Sequence, residues 1–135
     1  MSTIIADNLT GKTSAGSITV TSEGGAATQS LQQGLAKSWV NFNGNGTIAE
    51  RDSLNLSSLT DNGTGDYDVN LSSSFAAVDY FINVSGYPSA SWNQIFTIQN
   101  PANNTTSLFS IFSASTAGTK YDTQLVTAST HGDLA

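Results

Sequence analysis

Apolar and polar residues alternate with a period of two along most of the chain. The clearest run is Asp66–Leu71, in which Tyr67, Val69 and Leu71 fall on one side and polar residues fall on the other. Successive side chains of a strand point to opposite faces, so this alternation predicts a strand with one buried face. Together with similar runs nearby, it predicts a β-rich body over residues 39–135.

Turn signals separate these runs. Asn43–Gly46 and Thr60–Asp66 are typical of tight turns between strands. Leu108–Ala114 carries apolar residues on both sides, which predicts a strand that is covered on both faces. Other strands are predicted at residues 39–42, 80–84, 92–98 and 123–128. Strands of this length and spacing are typical of a β-sandwich or jelly-roll-like domain.

Residues 1–27 lack this alternation. They contain a turn-rich stretch after Leu9 and one short predicted strand at Ser17–Thr21, with few apolar residues. A segment with so little to bury cannot form a core of its own. We expect an extended N-terminal arm that lies against another chain or a docking surface. The alternative is a loose terminus.

Residues 28–38 are predicted to form one short helix, with Thr28 or Ser30 as its cap. Leu31 and Leu35 share a face at the i, i+4 spacing. A helix this short is marginal alone, so its apolar stripe needs a partner. That partner is either the β core or the same helix from other copies of the chain.

The polar surface is built from neutral side chains. Charged residues make up 10% of the chain, well below the roughly 25% of an average soluble domain. The chain instead holds 20 Ser, 17 Thr and 12 Asn. Thr favours extended backbone, whereas Asn and Ser favour tight turns. The composition therefore supports a mainly β fold, and its thin apolar complement suits either a lone domain or a core shared by identical copies.

The charge balance excludes two classes of partner. Ten acidic residues against four scattered basic ones give a net charge of -6. Nucleic acid and anionic lipid both require clustered Lys and Arg. No apolar run approaches the ~18 residues of a membrane span, and the first residues do not match a signal peptide. The lack of cysteine fits a chain made in a reducing cytoplasm.

Several segments resemble fibre and appendage proteins of bacteriophages, especially those of marine phages. The matching segments are Leu9–Gly16, Gln29–Phe42, Asn43–Thr47 with Leu59–Val69, and Asp122 with Gly132–Ala135. Together they span most of the chain. Each motif is only moderately specific, because turn-rich β sequences look alike, but their shared order is much more specific.

This resemblance implies a component of a virus particle, assembled in the bacterial host cytoplasm, with a β-sandwich-like outer domain and trimeric assembly about a long axis. Residues 1–27 would then dock on other structural proteins of the particle. The chain lacks the extended shaft of long tail fibres, which favours a short appendage, a head fibre or a capsid decoration protein. Attachment to tail or to capsid stays open, and so does a carbohydrate-binding module that acts alone.

Residues capable of catalysis occur, but their pattern does not predict an enzyme. His131 is the only histidine, and no Gly-x-Ser-x-Gly sequence accompanies it. Glu50 and Asp52 form one carboxylate pair that could act on a glycan, because i, i+2 side chains of a strand share a face. Asp66 and Asp68 form a second pair, on the polar face of their strand, where surface residues are expected. We predict that the chain is not an enzyme.

The segment Asp61–Asp68 is rich in the oxygen ligands that Ca²⁺ prefers. Asp61, Asp66 and Asp68 are the candidate ligands, although the ligand order of a calcium loop and its bidentate Glu are missing. A tight turn accounts for the same residues. We expect no metal and no other cofactor.

Aromatic residues that leave the buried face of a strand are candidates for contacts between molecules. We expect Trp39 and Phe81 to join Leu31 and Leu35 in the trimer interface. Loops often carry recognition residues. Candidates for a distal contact surface, for example with a host-surface glycan, are Tyr87, Trp92 and Tyr121.

Overall fold

Strands dominate the computed structural model, which describes residues 3–14, 17–87, 94–98 and 101–135. The strands of these residues are β1 (Thr19–Thr21), β2 (Thr28–Ser30), β3 (Ser38–Asn43), β4 (Ala49–Leu54), β5 (Leu56–Gly63), β6 (Asp66–Leu71), β7 (Phe81–Tyr87), β8 (Gln94–Ile98), β9 (Leu108–Ser115) and β10 (Leu125–His131). The helical elements are one turn of α-helix, α1 (Leu31–Gly34), and a 3-10 turn at Pro101–Asn103. The chain is therefore mainly β, as predicted.

The chain divides into two compact units, Met1–Leu35 and Ala36–Ala135. The N-terminal unit contains the predicted arm and most of the segment predicted as a helix. The second unit contains the predicted β-rich body. Within the described part of the chain, every helix is too short to cross a membrane.

The N-terminal unit contains a small hairpin and a single helical turn. β1 and β2 pair antiparallel. The helix is shorter than predicted, because residues 28–30 pair as β2 and only four residues follow in α1. Ser30 caps the helix, as predicted, by accepting a hydrogen bond from the Gln33 amide at 3.4 Å. Residues 28–30, which would form the first turn of the predicted helix, pair in the hairpin instead. The single turn that remains is too short to be a stable helix by itself.

Two four-stranded antiparallel sheets form the second unit. The first sheet has the strand order β4-β3-β10-β7, and the second has the order β5-β6-β9-β8. The central pair of each sheet joins an early strand to a late one, β3 to β10 and β6 to β9. Asn55, between β4 and β5, has a φ of 60°, a conformation that Asn tolerates better than most residues. This single residue carries the chain from the first sheet to the second.

The two sheets share one hydrophobic core. Val40 and Phe42 of the first sheet are buried, and so are Tyr67, Val69 and Leu71 of the second. The Phe42 and Tyr67 rings meet edge to face, with their centroids 5.3 Å apart. These positions confirm the inner faces that the alternation predicts.

Two strands extend further than the alternation predicts. β5 extends to Gly63, so the turn predicted at Thr60–Asp66 is present but is confined to Thr64 and Gly65. β10 runs on to His131, because Ser129 and Thr130 pair with β3. The Thr130 side chain is fully buried and lies 2.6 Å from the Ser38 hydroxyl. The end of this strand is buried through polar residues that hydrogen-bond to one another, so the hydrophobic pattern did not predict it.

Candidate functional site

The Tyr67 hydroxyl ties together one end of the second unit. It donates towards the Gly44 carbonyl oxygen at 3.0 Å and the Asp122 carboxylate at 3.3 Å. The same Asp122 oxygen accepts a hydrogen bond from the Gly65 amide at 2.8 Å. Burial, and then the charge of Asp122, raises the pKa of Tyr67 well above its ordinary value, so the hydroxyl remains a donor. We call Gly44, Gly65, Tyr67 and Asp122 the Tyr67 cluster.

Close packing requires both glycines of the Tyr67 cluster. A Cβ added to Gly44 would lie 2.5 Å from the Tyr67 hydroxyl oxygen, and one added to Gly65 would lie 2.4 Å from the Ser113 carbonyl oxygen. Gly65 also has a φ of 65°, which favours glycine. The cluster joins three parts of the chain: Asn43–Thr47, Leu59–Val69 and Asp122. These segments therefore have a structural role in this chain.

Asp66 lies beside this cluster in an ion pair with Lys120. The Lys120 Nζ is 2.8 Å from Asp66 Oδ2, and the two side chains are 40% and 12% exposed. Lys120 reaches this position because it forms a bridge with Ala114 of β9, and its Nζ also lies 5.0 Å from the centroid of the Phe112 ring. The expectation that Asp66 is a surface residue is therefore wrong.

A polar cavity of about 450 Å³ lies on the outer face of the second sheet. Its lining residues are Asn62, Asp66, Asp68, Asn103, Leu108 and Ser110. The Ser110 hydroxyl is almost completely buried and donates to Asp68 Oδ1 at 2.6 Å. Asp66 and Asp68 reach this face because they alternate with the core residues of β6. The cavity therefore presents carboxylates held by Lys120 and Ser110, two carboxamides and one apolar side chain.

The three calcium candidates are not brought together. Asp61 of β5 lies opposite Tyr67 of β6, whose side chain points into the core. Residues directly opposite one another share a face, so Asp61 lies on the other side of the sheet from Asp66 and Asp68. Its carboxylate accepts the Gly63 amide hydrogen bond at 2.9 Å. No group of three or more His, Cys, Asp or Glu residues in the described part of the chain is arranged to hold a metal ion.

The other catalytic candidates lie on the first sheet, away from the cavity. Glu50 Oε1 accepts a hydrogen bond from the Ser53 hydroxyl, and Asp52 Oδ1 accepts one from the Ser53 amide. Both carboxylates are on β4, an exposed edge strand. His131 is the last residue of β10, and its ring centroid lies 6.2 Å from that of Phe81.

The outer face of the first sheet carries four large side chains with apolar surface, separated by polar ones, which we call the outer patch. Its members are Trp39, Leu54, Phe81 and Tyr87. Leu54 lies opposite Trp39 in the register of β3 and β4. Phe81 and Tyr87, at the two ends of β7, are 62% and 52% exposed. Exposed aromatic side chains such as Phe81 and Tyr87 can be buried when another chain binds.

Two of the four predicted interface residues lie in the outer patch. Trp39 is half-buried and Phe81 is exposed there. Leu31 and Leu35 belong to the N-terminal unit, where Leu31 is half-buried and Leu35 is 53% exposed. The single chain therefore divides the predicted interface residues between its two units.

Two of the predicted distal contact residues, Tyr87 and Tyr121, fall near the end of the body where β10 begins. Tyr87 lies opposite Leu125, the first residue of β10. Tyr121 precedes this strand and is half-buried, and its amide donates to the Ser113 carbonyl at 3.1 Å. Trp92 lies outside the described residues.

Sequence reasoning missed the partners that position the acidic side chains. Lys120 is 54 positions from Asp66, and Ser110 is 42 positions from Asp68. Neither separation is a spacing that a motif would reveal.

No family model, no curated protein and no solved structure matches the chain.

Proposed function

We propose that the chain is a non-enzymatic structural module of a bacteriophage particle, a short homotrimeric fibre or appendage that projects from the tail or head. Its two sheets would form a β-sandwich body that contributes to attachment on the host surface. The chain would be made in the cytoplasm of the bacterial host and would be incorporated there into the virion. The observation that carries this proposal is an N-terminal unit whose described residues expose apolar side chains and include no buried one.

The described residues of this unit include no buried side chain. Its exposed large apolar residues are Ile4, Ile5, Leu9, Val20 and Leu35. An isolated two-stranded hairpin is only marginally stable in water. Covering exposed apolar side chains with another surface is favourable, because it removes apolar area from water. This pattern supports an arm over residues 1–27 that is completed by other copies or by another structural protein of the particle.

The outer patch supports assembly into a trimer. Phe81 is more exposed than any other aromatic residue of the described chain, and the side chains between it and Trp39 on this face are small and polar, including Asn83 and Ser129. In a homotrimer, one such patch per copy would supply three equivalent contacts.

The first test is the native mass of the purified chain, measured by light scattering over a dilution series. We expect a mass near three times 14.0 kDa that persists on dilution. A stable monomer at every concentration would contradict the trimer.

A pair of variants locates the interface. Phe81→Asn removes the most exposed aromatic residue of the outer patch, and we expect it to shift the mass towards the monomer. Ile95→Asn is the matched control, because Ile95 is 44% exposed on β8 of the other sheet. Equal dissociation by both variants, or by neither, would remove the outer patch from the interface.

A capsid decoration protein that stabilises the shell is the alternative location for the same module. Antibody labelling of whole particles distinguishes the two. Label at the tail supports an attachment appendage. Label spread over the capsid, together with heat-sensitive particles when the chain is missing, supports decoration.

A carbohydrate-binding module is the second candidate function, and the polar cavity favours it. A volume of about 450 Å³ suits a small ligand, and its carboxylates and carboxamides can accept and donate hydrogen bonds to hydroxyl groups. Glycan-array binding that is lost with Asp68→Ala, but retained with Asp61→Ala on the opposite face, would support this function. Binding lost instead with Tyr87→Ala or Trp92→Ala would assign recognition to the distal residues.

A further inference from the structure

The chain contains three Asn-Gly dipeptides, at residues 43–44, 45–46 and 62–63. In such a dipeptide the glycine amide nitrogen can attack the carbonyl carbon of the asparagine side chain. A C–N bond forms, ammonia leaves, and a succinimide ring results. Water then opens the ring to aspartate or isoaspartate. Glycine offers no Cβ to hinder the attack, so the surroundings of each glycine nitrogen decide which dipeptide reacts.

Hydrogen bonds hold two of the three attacking nitrogens. The Gly44 amide donates to the Thr123 carbonyl oxygen at 2.8 Å, and Gly44 is packed against Tyr67. The Gly63 amide donates to Asp61 Oδ1 at 2.9 Å. Each hydrogen bond must break before its nitrogen can lose a proton and reach the neighbouring side chain.

The third dipeptide, Asn45–Gly46, is open to reaction. Within the described residues, the Gly46 amide makes no hydrogen bond, and no atom lies within 4 Å of a Cβ built on Gly46. Asn45 is exposed, and its two hydrogen bonds with Asn43 use its backbone rather than its side chain. Both reacting groups therefore face solvent.

We propose that Asn45 is a site of spontaneous deamidation in the folded protein. The product adds a negative charge to a chain whose net charge is already -6. Isoaspartate also lengthens the backbone beside Gly44, whose carbonyl oxygen accepts the Tyr67 hydrogen bond. The proposal concerns the second unit alone and does not depend on the role in the virus particle.

The test is a time course of the folded chain at mildly alkaline pH, followed by digestion, mass spectrometry and enzymatic methyl labelling of isoaspartate. Trypsin releases residues 38–51 as one peptide that carries both Asn43 and Asn45, and fragmentation separates the two sites. We expect Asn45 to react roughly tenfold faster than Asn43 or Asn62, the factor for one backbone hydrogen bond. In denaturant we expect similar rates at all three sites. Equal rates in the folded chain would overturn the proposal.

A variant tests whether the hydrogen bond causes the protection. Asp61→Ala removes the acceptor of the Gly63 amide on an exposed part of β5, and circular dichroism checks that the fold is kept. We expect Asn62 to accelerate towards the rate of Asn45, which itself stays unchanged. Asn45→Gln should abolish the fast reaction. An unchanged rate at Asn62, or a fast phase that survives Asn45→Gln, would contradict the mechanism.

Discussion

The two units of the chain use similar residues with very different results. Both contain short strands in which Ser and Thr are frequent. Every buried apolar residue of the described chain lies in the second unit, whereas Ile4 and Ile5 of the first are 88% and 93% exposed. The number of sheets explains this difference in burial. The two sheets of the second unit enclose a core between them, whereas the hairpin of the N-terminal unit has no second layer to pack its apolar side chains against.

This contrast shows where the stability of the isolated chain resides. Mutations in the second unit should lower its free energy of unfolding, whereas mutations in the N-terminal unit should act only when a partner covers that unit. Replacing an apolar residue by a smaller one is therefore expected to reduce stability in the second unit and to weaken assembly in the N-terminal unit.

The largest expected effect is that of Phe42→Ala in the core. Phe42 is fully buried against Tyr67, so we expect a loss of about 3–5 kcal/mol in the free energy of unfolding. Ile5→Ala is the matched change in the N-terminal unit and should leave this free energy unchanged. Urea denaturation of both variants, each combined with the dissociating change Phe81→Asn, measures the difference. A similar loss from Ile5→Ala would show that the N-terminal unit is covered within one chain.

Asp122→Ala should produce the next largest effect. Asp122 accepts hydrogen bonds from the Gly65 amide and the Tyr67 hydroxyl, and loss of these charge-assisted bonds is expected to cost about 2–3 kcal/mol. Asp61→Ala is the control, because the exposed Asp61 also accepts a glycine amide hydrogen bond. Thermal unfolding should show a much smaller shift for that variant. Equal shifts would mean that the Tyr67 cluster contributes no more than an exposed turn.

Alkaline pH should destabilise the second unit selectively. Burial raises the pKa of Tyr80 from 10.0 to about 12. Its contribution to stability is complete below pH 10 and is lost as the pH rises towards 12, because the unfolded chain ionises first. We expect a loss on the order of 2 kcal/mol from this residue, read from urea midpoints across that range.

Tyr80→Phe is the control for the alkaline effect. It should reduce the slope of stability against pH, although Tyr67, whose pKa is also raised, keeps part of it. An unchanged slope would assign the alkaline loss to other groups.

The smallest effect is expected for Lys120→Ala. This change breaks the ion pair with Asp66, but the Lys120 side chain is 40% exposed, so solvent screens the interaction and we expect a loss of at most about 1 kcal/mol. Lys12→Ala in the N-terminal unit should change nothing measurable in the monomer. Repeating the urea curves at high salt should reduce the Lys120 effect, and an effect insensitive to salt would point to its packing on Phe112 instead.

The hydrophobic pattern predicted most of the β-rich body because strand alternation depends on local chemistry. Tyr67, Val69 and Leu71 report their buried face directly. The pattern failed where long-range pairing decides the outcome. Pairing of Thr28–Ser30 with β1 shortened the predicted helix, and the buried Thr130 extended β10 although its side chain is polar.

The candidate site was less predictable than the fold. The carboxylates of Asp66 and Asp68 were identified as a pair with a shared face. Their partners, Lys120 and Ser110, lie on β9 or in the segment that follows it, and only the folded chain brings them close. The placement of Asp61 on the opposite face follows from the register of β5 against β6, which the sequence does not specify.

The central position of β10 has a consequence for synthesis of the chain. β10 lies between β3 and β7, so the first sheet cannot close until residue 131 has left the ribosome. Until then both neighbouring strands present unpaired amide and carbonyl groups, which invite pairing with other chains. A chain interrupted before this strand is therefore expected to aggregate or to be degraded, so that only finished copies enter assembly.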